Sequence, residues 1–392
     1  MKAKKKILFY ARVCYLDAAL EHIRLISQHF QVHLLIELSP SETKDNIFNL
    51  DINLGDYRNL TSYDEVCRDW KLEYLNDYFK DCQSVNFVIY KSKKDILGLL
   101  NTTFSVSSFI WSLNPDILHF DDFSTRQSLL LPILLRFRKR VVMNIHDPKP
   151  HLGESLWYIN FIKSIIFSVV SKYITFSKFS KKLLSDQLHE SKSVHKLNLL
   201  PYSIFKKFIG PIPANQTEGE YITFIGRLSK YKGIEIFLEA IPEILERFPD
   251  QRFMIAGRPV YDYSIDTNRI DAENLHLIQR HLSNQEMVEI INRSKLIVCP
   301  YLEATQSGVI MTAYALNKPV LVSNSGGLPE YVHENFTGII LKNHTAKELS
   351  QSVIRFLSDQ SSEQFSHNIR QGDFIKEGME SNLKSLMELY VN

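Results

Sequence analysis

Two short loops hold residues whose types and spacing could do chemistry. In YITFIGRLSKYKGIEIFLEA, Gly226 ends a strand pattern, Arg227 and Lys232 flank a basic loop, and a helix pattern opens near Gly233. Cationic side chains beside the unbonded amides and positive dipole end of a helix suit an anion with several oxygens, a diphosphate above all. KLIVCPYLEATQSGVIMTAYALN has the same form, with Gln306, Ser307 and Gly308 in a small polar loop between strand and helix. Its amides and two side-chain donors could wrap phosphate oxygens without a metal. Each loop alone has a plainer explanation, Lys230 and Lys232 simply solvated, Thr305 or Ser307 simply an N-cap. Two such loops at one edge of one parallel sheet are harder to explain that way, since ligands bind at that edge.

VSNSGGLPEYV adds a Gly326-Gly327 turn ahead of Pro329 and Glu330; the glycines could make the turn or let a ligand approach the backbone. In the first half, DILHFDD carries His119, Asp121 and Asp122, and NIHDPKPHLGE carries His146, Asp147 and His151. Read from the residues alone, these clusters could hold a metal, as in a metal-dependent hydrolase, or orient a polyol. Neither has a fixed ligand spacing.

Apolar runs that alternate with helical patterns must position these loops. KILFYA, QVHLLIEL, NFVIY, DILHF, VVMNIHD, KYITFS and KLNLLPY read as strands of a first parallel sheet covered on both faces. Residues 40 to 110 are less regular and offer one strand near 86 to 90. Periodicity vanishes in FKKFIGPIPANQTEGE, residues 205 to 220, which reads as a linker. A second series then begins: YITFIG, RFMIAG, LHLIQ, KLIVCP, KPVLVSN and GIILK. The last segment, IKEGMESNLKSLMELYVN, is an amphipathic helix with Met379, Leu383, Leu386, Met387 and Leu389 grouped to dock.

Bulk properties exclude less than they allow. A net charge of +2 over 392 residues gives no whole-chain argument for nucleic acid. Cys14, Cys67, Cys82 and Cys299 are scattered, which suits a reducing compartment. MKAKKKILFYARVCYLD reads as a first buried strand rather than a signal peptide. LLLPILLRFRKRVV and ESLWYINFIKSIIFSVVSKY mix apolar residues with Arg136, Arg138, Lys139, Arg140, Lys163 and Lys172. They could rim an anionic membrane or cover the sheet with their charges in water.

FIGRLSKYKGIEIFLEA, FMIAG, LIVCPYLEATQSGVIMTAYALNKPVLVSNSGGLPEYV and TGIIL together resemble the retaining GT-B glycosyltransferases of the large nucleotide-sugar-dependent family 4. PDILHFDD, VVMNIHDPKPHLGE, YITFSKFSKKLL and LNLLPYSIF extend the resemblance into the first half. It implies an α/β fold of two Rossmann-like, doubly wound parallel-sheet domains facing a central cleft. The N-terminal, acceptor-binding domain would span 1–205, the nucleotide-sugar-binding domain 206–370, and a helix over 371–392 would cross back onto the first.

By the same resemblance, His146 is the active-site histidine near the transferred sugar, and Arg227 and Lys232 hold the donor diphosphate. Gly226, Glu303, Gln306, Ser307, Gly308 and Thr312 belong to the donor side, and His119, Asp121 and Asp147 to the acceptor side. The family's E-x7-E signature is altered: Ala304 stands at the first position with Glu303 beside it, and Thr312 replaces the second Glu, the usual ribose ligand. ATQSG resembles a recurring variant of that region. YARVCYLDAAL stands where many relatives read Gly-Gly, so contacts around Ala11 to Leu16 must differ.

The expected activity is transfer of a sugar from a nucleotide-diphosphate sugar to a carbohydrate or lipid-linked acceptor hydroxyl, with retention. No cofactor or obligatory metal is expected. The setting is cytoplasmic, with a peripheral contact at the inner membrane face, in cell-surface polysaccharide or glycolipid synthesis. A non-catalytic nucleotide-sugar-binding protein, a GT-B epimerase and a metal-dependent hydrolase are the alternatives.

Overall fold

In a computed structural model of the chain, the residues described are 4–44, 46–92, 95–149, 157–210, 219–260, 263–265, 270 and 273–391. His151 and residues 211–218 of the expected linker lie outside them. Two compact units are present: Met1–Asn198 with Gly378–Asn392, and Leu199–Glu377.

The first unit is built on eight strands: β1 (Lys6–Arg12), β2 (Gln31–Leu38), β3 (Leu60–Ser62), β4 (Ser84–Ile89), β5 (Ile117–Asp121), β6 (Val141–Asn144), β7 (Lys172–Thr175) and β8 (Ser193–Lys196). Their order in the sheet is β3-β4-β2-β1-β5-β6-β7-β8. All pairs are parallel except β3 with β4. Ile7 to Ala11 of β1 are all buried, as a central strand covered on both faces requires. The chain moves outward from β1 through β2 to β4, then returns to the other flank of β1 with β5. That reversal opens a crevice at the C-terminal ends of β1 and β5.

The second unit holds β9 (Tyr221–Ile225), β10 (Arg252–Gly257), β11 (Leu275–Gln279), β12 (Ser294–Cys299), β13 (Val320–Ser323) and β14 (Gly338–Leu341), ordered β11-β10-β9-β12-β13-β14. Here too the chain runs outward from β9 and returns on its other flank with β12. The loops carrying Arg227 to Lys232 and Gln306 to Gly308 therefore leave neighbouring strands at the reversal point.

The structure sharpens several of the sequence expectations. KLNLLPY is not a strand; the strand is the preceding Ser193–Lys196, polar because it pairs on one side only. Leu197, Leu199 and Leu200 are buried as irregular backbone. The irregular region holds a long helix, Ile96–Leu113, and the short antiparallel edge strand β3.

The units part at Asn198, ahead of the Pro- and Gly-rich stretch. Tyr202 N–H donates to the Met311 carbonyl at 3.3 Å, and the turn Ser203–Phe208 stays with the second unit. The terminal helix Asp373–Val391 buries Asn382, Leu386, Leu389 and Tyr390, whereas Met387 is 38% exposed. Its polar anchor is Asn382, which accepts from Asn198 N–H at 2.7 Å and donates to the Asn198 carbonyl at 2.8 Å. Its amide also donates to His22 Nε2 at 3.0 Å. A buried amide so fully paired fixes the helix's rotation more tightly than an apolar stripe.

Candidate functional site

In the second unit, β9 ends at Gly226, whose φ of +131° turns the chain out of the sheet. Gly257, at the end of β10, packs against it so closely that a Cβ there would stand 1.7 Å from the Gly226 carbonyl oxygen. Arg227 is exposed, and a single turn, Lys230–Lys232, leads to Gly233. Gly233 has a φ of +65°, and a Cβ would meet the Pro300 carbonyl oxygen at 2.0 Å. No other residue fits between this turn and the loop after β12.

The two expected anion loops are joined. Leu302 N–H donates to the Tyr231 carbonyl at 2.8 Å, and Lys232 Nζ sits 3.6 Å from the Tyr301 ring centroid. This cation-π contact aims the ammonium along the strand-end edge. Farther on, Gly327 N–H donates to the Ala304 carbonyl at 3.0 Å, closing the Gly326-Gly327 turn over the same loop.

Ser307 is the N-cap residue of the helix Gly308–Ala315, but its own side chain does not cap the first turn. The buried Ser229 hydroxyl has no hydrogen-bond partner among the described residues, while those of Tyr301 and Ser307, also buried, face each other. Amides at a helix start beside buried hydroxyls and a fixed lysine form a polar cradle suited to acceptors. Phosphate oxygens are acceptors only. Glu303 is exposed at the rim. Thr312 is buried, and its hydroxyl donates to the Gly308 carbonyl of its own helix at 2.9 Å. It is thus turned to the backbone rather than outward.

The first unit holds the second constellation, at the C-terminal ends of β1, β5 and β6. His146 Nε2 and Asp121 Oδ1 lie 3.0 Å apart, both buried. Asn144 donates to the same carboxylate oxygen at 2.8 Å. Burial alone would push the Asp121 carboxyl up, but His146 and Asn144 hold it below its ordinary value. Burial would likewise lower His146, but the carboxylates of Asp121, Asp122 and Asp147 together outweigh it and raise the imidazole. The pair is stabilised in its charged form.

Tyr15 stacks on the His146 ring with centroids 4.1 Å apart and planes 6° apart, and Phe176 lies at 4.7 Å. Asp122, at φ +66°, accepts from His146 N–H at 3.2 Å through its side chain. A non-glycine residue in that conformation beside a charged pair is strain held where function is concentrated. The Asp17 carboxyl is pushed up to about 6 by burial, against a lowering by His146.

His119 is placed otherwise than expected. It lies within β5 rather than at its end, buried, with Nε2 on Asn144 Oδ1 at 2.8 Å and Nδ1 on the Tyr390 hydroxyl. Because the Asp121 carboxylate can only accept, the Asn144 amide must face it and its oxygen must face His119. His119 is therefore protonated at Nε2. Burial lowers its value to about 4, which leaves the ring neutral. His119 braces Asn144 from behind and presents no donor outward. Asp147 is half-buried next to His146 in sequence. Among the described residues no three His, Cys, Asp or Glu side chains converge to share an ion.

Tyr15, Phe176 and Asn144 were not singled out by sequence reasoning. YARVCYLDAAL carried one clue, since a residue other than glycine at that turn has to fill space, and Tyr15 fills it with a ring on His146. Tyr301 and Ser229 gave no signal, because a lone Tyr or Ser at a strand end reads as packing.

Residues 206–372 match the sequence profile of a family described as glycosyl transferases group 1. A D-inositol 3-phosphate glycosyltransferase of Corynebacterium aurimucosum is 31% identical over 146 residues, 35% of this chain and 35% of that protein. The matched segment thus spans about a third of its curated relative. Among solved structures, a glycosyltransferase from Rickettsia africae aligns over 99% of both chains with a TM-score of 0.63 at 15% identity. Anabaena HepE in complex with UDP aligns over 98% of this chain and 99% of its own, with a TM-score of 0.63 at 14% identity. The second unit is similar to the glycosyl transferases of group 1, and the fold of the chain, two parallel-sheet Rossmann-like units, is that of the GT-B glycosyltransferases.

Proposed function

We propose that the chain transfers a sugar from a nucleotide-diphosphate sugar to an acceptor hydroxyl with retention of anomeric configuration. The observation that carries this reading is the joined pair of loops at the β9/β12 reversal. Lys232 is fixed on Tyr301 there, and Leu302 is tied to Tyr231. Arg227 and Lys232 neutralise the diphosphate as it departs, and the amides from Gln306 to Gly308 and the Ser307 hydroxyl donate to its remaining oxygens. The bond from the anomeric carbon to the β-phosphate oxygen breaks, and one to the acceptor oxygen forms. The acceptor's proton leaves with the phosphate. Preorganised donors aimed at growing negative charge supply the rate, with no metal required of this chain's residues.

His146, held charged by Asp121, serves the transferred sugar. With Thr312 turned to its own helix, Glu303 is the carboxylate left to reach the ribose. The acceptor is a carbohydrate or a lipid-linked one, and the setting is cell-surface polysaccharide or glycolipid synthesis at the cytoplasmic face of a membrane. A second reading, a nucleotide-sugar-binding protein without turnover, is favoured by the inward bond of Thr312.

A thermal-shift screen against UDP-, GDP- and ADP-sugars tests the donor site. A ligand at a hundred times its dissociation constant stabilises the folded state by about 2.7 kcal/mol, which raises the melting temperature by several degrees. If no nucleotide or nucleotide sugar moves it, the reading fails; binding with no product in a transfer assay supports the second reading.

A further inference from the structure

The helix Ile96–Leu113 covers the first sheet with one face and leaves the other unexplained. Thr102, Thr103, Val106 and Ile110 are buried, and Thr102 Oγ1 donates to the Ile89 carbonyl at 3.2 Å. On the opposite face Leu97, Leu100, Phe104 and Trp111 form one stripe along the axis, 74%, 50%, 75% and 61% exposed. Eighteen residues pass without a charge, where a surface helix ordinarily turns charged side chains to water. The helix is long and apolar enough to cross a bilayer, but its inner face is committed to the sheet.

The end of the stripe is basic. Arg136 lies over the Trp111 ring at 5.7 Å, and Arg140 donates to Asn114 Oδ1 and the Pro115 carbonyl, each at 3.1 Å. Arg138 and Lys139 are exposed beside them, as is Leu135. The acids at the two ends are engaged: Asp95 accepts from Gly98 N–H at 2.7 Å and Asp116 from Lys6 N–H at 2.8 Å.

We infer that this face lies in the interface of an anionic lipid bilayer, with Leu97, Leu100, Phe104 and Trp111 among the acyl chains and Arg136, Arg138 and Lys139 on the headgroups. A stripe of large exposed apolar side chains marks an interaction surface, and its basic end selects the partner's charge. A second copy of the chain would bring the same basic cluster rather than its complement. The inference deepens the membrane-face setting proposed above and does not depend on the donor chemistry.

The test is flotation of the full chain with vesicles of phosphatidylcholine alone or with phosphatidylglycerol. Binding is expected on the anionic vesicles, with a blue shift of the Trp111 emission that is absent in Trp111→Phe. Leu97→Glu/Phe104→Glu should lose binding by at least roughly tenfold, and Arg138→Glu/Lys139→Glu should lose it by a similar factor at low salt. Both pairs of residues are exposed, so the variants should keep their circular dichroism and their nucleotide-sugar thermal shift, which separates this outcome from failure of the donor reading. Absence of wild-type binding to anionic vesicles would overturn the inference. So would unchanged binding by Leu97→Glu/Phe104→Glu, or light scattering that shows a dimer which this variant converts to monomer.

Discussion

Replacing Lys232 with alanine is expected to slow sugar transfer by about 10²- to 10³-fold, the cost of removing one preorganised donor from a developing anion. Its ammonium is aligned on Tyr301, on a turn that only Gly233 allows to run against Pro300. The loss should fall mainly on kcat, since the charge it meets grows as the bond to the sugar breaks. Lys232→Arg should recover little, because the guanidinium is longer and planar and does not replace a point charge held in a tight turn. Arg227→Ala should cost less in kcat and more in KM, as its side chain is exposed to solvent. Steady-state kinetics with the donor found by thermal shift would check both, and a parent-like kcat for Lys232→Ala would remove the lysine from the chemistry.

Asp121→Asn is the second large effect. The carboxylate raises His146 against the pull of burial, and His146 and Asn144 hold Asp121 down. A histidine raised in the folded state contributes stability that is complete below about pH 6.5 and lost as pH rises through its raised value. A carboxyl that is lowered contributes stability complete above about pH 3.9 and lost as pH falls through its lowered value. The pair therefore matters most between those limits. Breaking a buried pair by neutralising one partner costs about 3–5 kcal/mol.

Denaturant unfolding of Asp121→Asn should thus show its largest deficit near pH 5 to 6 and a smaller one at alkaline pH. With Asp121 neutral, burial takes over, and the alkaline limb of the transfer rate should move to lower pH as His146 loses its proton earlier. A rate loss on the order of 10²-fold is expected at neutral pH. A rate profile unmoved along the pH axis would mean that Asp121 only packs.

The central strands were legible because a parallel strand buried on both faces reads as an apolar run, as Ile7 to Ala11 do and Tyr221 to Ile225 do with Thr223 as the single polar residue. The edge strands of the first sheet were not: Ser193–Lys196 and Leu60–Ser62 are short and half covered, so their residues need not be apolar. Ile96–Leu113 escaped because apolar residues on both faces erase the periodicity by which a helix is recognised.

The donor loops were legible as types at strand ends, since Gly226, Gly233 and Gly308 mark tight backbone. Their mutual bonding was not, because Leu302 to Tyr231 is a backbone contact that any side chains would permit. His146 and Asp121 were visible as polar residues after strands. That they pair follows from the adjacency of β5 and β6, while the inward turn of His119 to Tyr390 depends on the return of the terminal helix, some 270 residues later in the chain.

The central claim is that the amides at the start of Gly308–Ala315 and the turn at Lys232 hold a nucleotide diphosphate. Hydrogen exchange of the full chain with and without UDP, or the nucleotide selected by the thermal-shift screen, tests it at the residues themselves. Strong protection of the amides from Gln306 through Val309 and around Lys232, abolished in Lys232→Ala at the same nucleotide concentration, is the predicted result. Saturated nucleotide binding with no change in exchange at those amides would contradict it.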